Sequence, residues 1–97
     1  MAKGYWVSVY PAMSDPERLA AYDKLARPAI QAGGGRLLSR GARVVAYEAG
    51  ITQRVVLIEF DSFEQAVAAY ETEAYQKAMV ALPDGVKRDF RIIEGID

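Results

Sequence analysis

The chain has 97 residues, 52% of them hydrophobic and 26% charged, with a formal net charge of −1. That is one domain, residues 1–97, with room for one modest core, and its interspersed charges lack the clustered Lys and Arg that a nucleic-acid surface needs. Neither cysteine nor histidine occurs, which excludes disulfides and thiolate chemistry and removes the commonest metal ligand and neutral-pH base. No apolar run approaches the roughly 20 residues that span a bilayer. The opening MAKGYWVSVY has no continuous apolar stretch of the kind a signal peptide needs. A cytoplasmic protein with no membrane partner is therefore expected.

Tyr5 to Tyr10 reads as the first strand, with Tyr5, Val7 and Val9 on one face and Trp6, Ser8 and Tyr10 on the other. Pro11 ends it. Ser14 or Asp15 can cap the helix that follows, with Glu17 completing a capping box, and Pro16 suits the first turn. Leu19, Tyr22, Ala26, Ala29 and Ile30 recur at helical spacing. Pro28 lies inside that pattern and predicts a kink near Lys24. Gly33-Gly34-Gly35 terminates the helix and is no phosphate loop, because it follows a helix and precedes a strand.

Arg36 to Arg40 is the second strand. Gly41 permits a bulge, Val44 to Glu48 continues in extended form, and Ala49 to Gln53 turns the chain. Arg54 to Phe60 is the third strand. Ser62 caps a helix whose inner stripe is Phe63, Ala66, Val67 and Tyr70. Thr72 caps another that turns Tyr75, Ala78, Met79 and Leu82 inward. Pro83-Asp84-Gly85 makes a turn, and Asp89 to Ile96 is the last strand. The order βαββαβ predicts an α+β, ferredoxin-like split βαβ sandwich: a four-stranded antiparallel sheet with helices on one face.

Helices cover one face only, yet both faces carry apolar residues. Val56, Ile58 and Phe60 oppose Val55 and Leu57, and Phe90 and Ile92 oppose Ile93. An uncovered apolar sheet face is costly in water, so a sheet-to-sheet homodimer is expected.

Glu59 shares the face of Val55 and Leu57, and a carboxylate there needs a partner. Counting back from Gly50 in antiparallel register sets residues near 40 beside residues near 60, which nominates Arg40. The pair is either a structural ion pair or the polar end of a cleft, with Arg40 holding an anionic group and Glu59 orienting it or acting as base. Tyr10, Tyr70 and Tyr75 either pack in the core or line that cleft. Acidic residues such as Glu71 and Glu73 read as a solvated helix end, so no metal site and no cofactor are expected.

Met1-Ala2-Lys3-Gly4-Tyr5-Trp6-Val7, Arg40-Gly41, Ile58-Glu59-Phe60, Ala69-Tyr70, Tyr75 and Ile93-Glu94-Gly95 together resemble a bacterial family known as domain of unknown function 1330. The resemblance spans the chain. Ala42, Asp61 and Ala69 depart from the family's glycine, proline and tryptophan. It implies a dimeric α/β barrel, in which two ferredoxin-like sheets close a barrel between subunits. The function expected on these grounds is a homodimer with a cleft for a small anionic or aromatic molecule in each subunit. The alternative is a cofactor-free enzyme of monooxygenase or isomerase type working through Glu59, Arg40 and tyrosine hydroxyls.

Overall fold

A computed structural model describes residues 2–10, 16–40, 43–50, 53–82 and 88–96. The elements run β1 (Gly4–Val9), α1 (Pro16–Ala32), β2 (Arg36–Ser39), β3 (Val55–Phe60), α2 (Phe63–Tyr70), α3 (Glu73–Val80) and β4 (Asp89–Glu94). The strands form one antiparallel sheet in the order β2-β3-β1-β4, the ferredoxin-like arrangement expected from the sequence. The expected helix cap at Ser14 or Asp15, the stop at Pro11, the bulge at Gly41 and the turn at Pro83-Asp84-Gly85 lie outside the described residues.

Alternation along the strands sends Trp6, Ser8 and Tyr10 inward with Val56, Ile58 and Phe60. Tyr5, Val7 and Val9 lie opposite Glu59, Leu57 and Val55 on the other face. Trp6 is the centre of the core. Its indole meets the rings of Phe60, Tyr75 and Phe90 at centroid distances of 5.0, 4.9 and 5.2 Å, and its Nε1 donates to the Ala66 carbonyl at 2.8 Å. Such tilted and edge-on pairs suit the ring quadrupole and add to the gain from burial. The α2 stripe facing the indole is small, Ala66 and Ala69, so the helix backbone can approach the sheet. α2 packs on β1, β3 and β4, whereas α1 packs chiefly on α3.

The helix ends follow the expected chemistry. Ser62 Oγ accepts from the Gln65 N–H at 3.0 Å and Thr72 Oγ1 from the Tyr75 N–H at 3.2 Å, each satisfying an otherwise orphaned donor. α1 runs through Pro28 as one helix and closes at the glycines. Gly34 has φ 93°, a conformation that L side chains rarely adopt. At Gly35 a Cβ would lie 2.9 Å from the Phe60 ring and 2.6 Å from Ile30, so only glycine lets the chain enter β2 this close to the core.

Two expectations need correction. Residues 44–48 do not extend the second strand. They lie outside the sheet, with Glu48 at φ 54° and the Gly50 N–H bonded to the Tyr47 carbonyl at 2.8 Å. The turn therefore falls earlier than Ala49–Gln53. The β2–β3 ladder is also irregular between Leu37 and Ser39, so the sheet's departure from regularity among the described residues is at Leu38.

Candidate functional site

The register places Arg36, not Arg40, opposite Glu59. Arg36 Nε donates to Glu59 Oε1 at 3.1 Å and its Nη2 to Asp61 Oδ1 at 3.0 Å. The Arg40–Glu59 pair inferred from the sequence is thus absent. The count back from Gly50 assumed a symmetric hairpin, and residues 43–50 leave the ladder. Arg40 instead reaches α1, with Nη2 3.7 Å from Asp23 Oδ2. Glu59 lies on the outer sheet face beside Tyr5, whose hydroxyl is 3.5 Å away. Tyr70 packs against Trp6, Tyr75 and Phe90 at the edge of the core. Tyr10 and Tyr75, together with Arg40, do line a cleft between the sheet and α1 and α3.

The cleft is built around a residue that nothing in the sequence pattern singles out. Arg88, just ahead of β4, turns its guanidinium inward. Nη1 donates to the hydroxyls of Tyr10 and Tyr22, both at 3.1 Å. Nη2 donates to the Tyr75 hydroxyl at 2.8 Å and to Met79 Sδ at 3.0 Å. The guanidinium carbon also lies 4.6 Å from the Phe90 ring centre, a cation–π contact. No carboxylate pairs with Arg88 among the described residues. A guanidinium taken from water with only neutral oxygens around it is an incompletely compensated charge. Burial opposes that charge, but the oxygens of Tyr22, Tyr75 and Tyr10 outweigh it and raise the arginine's pKa further.

The tyrosines are held in one protonation state. Burial pushes the Tyr22 hydroxyl well above its ordinary range, and the neighbouring Tyr75 adds to the effect. Burial raises Tyr75 as well, against the opposing pull of Arg88. Both stay neutral near pH 7 and act as hydrogen-bond donors and acceptors, not as bases. Tyr22 and Tyr75 bond each other, Oη to Oη. That bond uses one of the three hydroxyl hydrogens in the cluster. Among the described residues the other two have no acceptor.

Further out, Arg54 lies 5.4 Å from the Tyr10 ring centre and donates Nε to the Arg40 carbonyl at 3.1 Å. Arg27 also lines the cleft. Around this space stand Arg27, Arg40, Arg54 and Arg88 against one described carboxylate, Asp23. Sequence reading missed Arg54, Arg88 and Tyr22. The available signal was a chain rich in tyrosine without histidine: buried phenols need hydrogen-bond partners, and arginine was the strong donor left to supply them.

Among the described residues, no His, Cys, Asp or Glu group is placed to hold a metal ion, and no helix is long and apolar enough to cross a membrane. A search of curated proteins found no match. Solved structures share the fold. RPA0582, a protein of unknown function from Rhodopseudomonas palustris, superposes with a TM-score of 0.70 at 16% identity, covering 99% of this chain and 84% of that one. An ethyl tert-butyl ether d (EthD) family protein of Bacillus halodurans C-125 gives 0.61 at 12% identity, covering 99% and 100%. A dimeric ferredoxin-like protein of unknown function from Thermobifida fusca YX gives 0.54 at 9%, covering 95% and 90%. At these identities the likeness is one of fold. The sequence-level resemblance is matched by a family model, Domain of unknown function (DUF1330), over residues 3–96, and the chain belongs to that family.

Proposed function

We propose that the protein binds a small anionic molecule with an apolar or aromatic body in the cleft beside Arg88. The observation that carries this reading is the charge balance among the described residues: four arginines and one carboxylate line the cleft, and Arg88 meets three phenols and no described anion. An incoming carboxylate or phenolate would supply the missing charge and accept the two uncommitted hydroxyl hydrogens. A thermal-shift screen of small carboxylates and phenols tests it. Carboxylates are expected to raise Tm in a concentration-dependent way, since a ligand that binds only the folded state stabilises it. A flat response across the panel, confirmed by calorimetric titration, defeats the proposal.

This reading is preferred to the enzyme of monooxygenase or isomerase type expected as an alternative. A proton-abstracting site needs a base within reach of its substrate. Among the described residues, Glu59 faces away from the cleft, Asp23 is engaged with Arg40, and Tyr22 and Tyr75 are held neutral.

The outer sheet face supports self-association. Tyr5, Val7, Val9, Val55 and Leu57 run across the two central strands there, flanked by half-exposed Ile93 and Leu38. No described element covers them. Arg36, Glu59, Asp89 and Arg91 edge the patch with charge, which suits a polar rim around an apolar interface. A sheet-to-sheet homodimer is the simplest assembly that hides it. Sedimentation at micromolar concentration is expected to give twice the subunit mass, and Leu57→Asp to give one subunit. A monomeric parent chain ends this part of the proposal.

A further inference from the structure

The cleft beside Arg88 adjoins a second compartment. The inner space, between Arg88 and the tyrosines, is a cavity of about 50 Å³. The outer one, between the C-terminal half of α1 and β2, is about 370 Å³. Arg27, Ile30, Leu37, Arg40 and Ile58 line both, so the two adjoin. A cavity needs about 10–15 Å³ to hold a water, so the inner space has room for a small head group such as a carboxylate and not for a ring with substituents. The body of any larger ligand lies in the outer compartment, over the side chains of Ile30, Leu37 and Ile58.

Cationic charge is divided between the two ends. Arg88 supplies it inside. At the mouth stand Arg27 and Arg40, with Arg54 held against the Arg40 carbonyl. Arg36 also borders the outer compartment, but its charge is spent on Glu59 and Asp61. Arg27 has no acidic partner among the described residues, and Arg40 has the Asp23 contact at 3.7 Å, with both side chains partly open to solvent. The mouth thus has an excess of positive charge separate from the one at Arg88, with an apolar floor between.

Building on the anion-binding reading, we infer that the ligand carries two anionic groups at opposite ends of an apolar middle. One anion sits against Arg88 and the hydroxyls of Tyr10, Tyr22 and Tyr75. The other sits at the mouth, where it replaces Asp23 as the partner of Arg40 and meets Arg27. A straight-chain dicarboxylate is the simplest molecule of this class.

Calorimetric titration with straight-chain dicarboxylates of increasing length, each against the monocarboxylate of equal chain length, tests the inference. The best dicarboxylate is expected to bind about tenfold more tightly than its monocarboxylate, the gain from one additional charged contact. Arg27→Ala and Arg40→Ala should each cost the dicarboxylate several-fold more than the monocarboxylate, and so erase that gain. Asp23→Asn should act in the opposite direction and tighten the dicarboxylate, because it removes the competing anion. Circular dichroism confirms that each variant is folded. If mono- and dicarboxylates bind equally and the mouth variants change nothing, the two-anion inference falls while the Arg88 anion site stands. If Asp23→Asn weakens the dicarboxylate, the inference falls as well. If no carboxylate of either kind binds, both readings fail together.

Discussion

Replacing Trp6 with alanine is expected to lower stability by about 3–5 kcal/mol, the range for emptying a large aromatic site in a core. The indole is 2% exposed and sits among Phe60, Tyr70, Tyr75 and Phe90, with its N–H on the Ala66 carbonyl. These neighbours come from β3, α2, α3 and β4, so one side chain joins the sheet to the helical layer. The site cannot collapse readily, because its walls are rings fixed by one another and alanines with nothing to extend into the gap. A domain holds about 5–15 kcal/mol in all, so the variant would retain a small part of that margin. Urea unfolding measures the loss through the midpoint at constant slope. A loss under about 1 kcal/mol would show that the indole is not the centre of this core.

Arg88→Met is expected to separate stability from binding. Methionine keeps an unbranched apolar stem beside Met79 and Phe90 and removes the charged head. Removal forfeits hydrogen bonds to three phenols and the contact with Phe90, but it also ends the desolvation of an unpaired guanidinium. These effects oppose each other, so the stability read from urea unfolding should change by no more than about 1 kcal/mol, in either direction. Binding of a small carboxylate should fall about tenfold to a hundredfold, the worth of a charged hydrogen bond. A large loss of stability with unchanged affinity would make Arg88 a structural fastening and remove the reason for placing the ligand there. Tyr22→Phe then serves as the companion variant. It keeps the ring, removes one hydroxyl of the cluster, and should weaken the anion by a smaller factor.

The alternation of Val55 to Phe60 and the caps at Ser62 and Thr72 were enough to place the sheet and the last two helices from the sequence, because each is local chemistry. Trp6, Ser8 and Tyr10 fell together on one face for the same reason. What could not be read was the pairing of Arg40 and Glu59. Strand register depends on how many residues leave the ladder between β2 and β3, and neither the kink at Leu38 nor the looped-out 43–50 segment carries a period of its own. Arg88 escaped notice for a related reason. It falls between the turn read at Pro83-Asp84-Gly85 and the strand read from Asp89, and only the folded chain brings it to Tyr10, Tyr22 and Tyr75 from up to 78 residues away. The tyrosines were legible as inward-facing or cleft-lining residues, but not the donor they converge on.

The chain contains a single tryptophan, and that indole both anchors the core and forms part of the wall of the inner cavity, its ring 4.9 Å from that of Tyr75. Excited at wavelengths that tyrosine does not absorb, the emission therefore has one source, set where the local field changes when an anion enters or leaves. The protein carries its own optical gauge of occupancy, and no dye or label has to be attached to follow the cleft in solution.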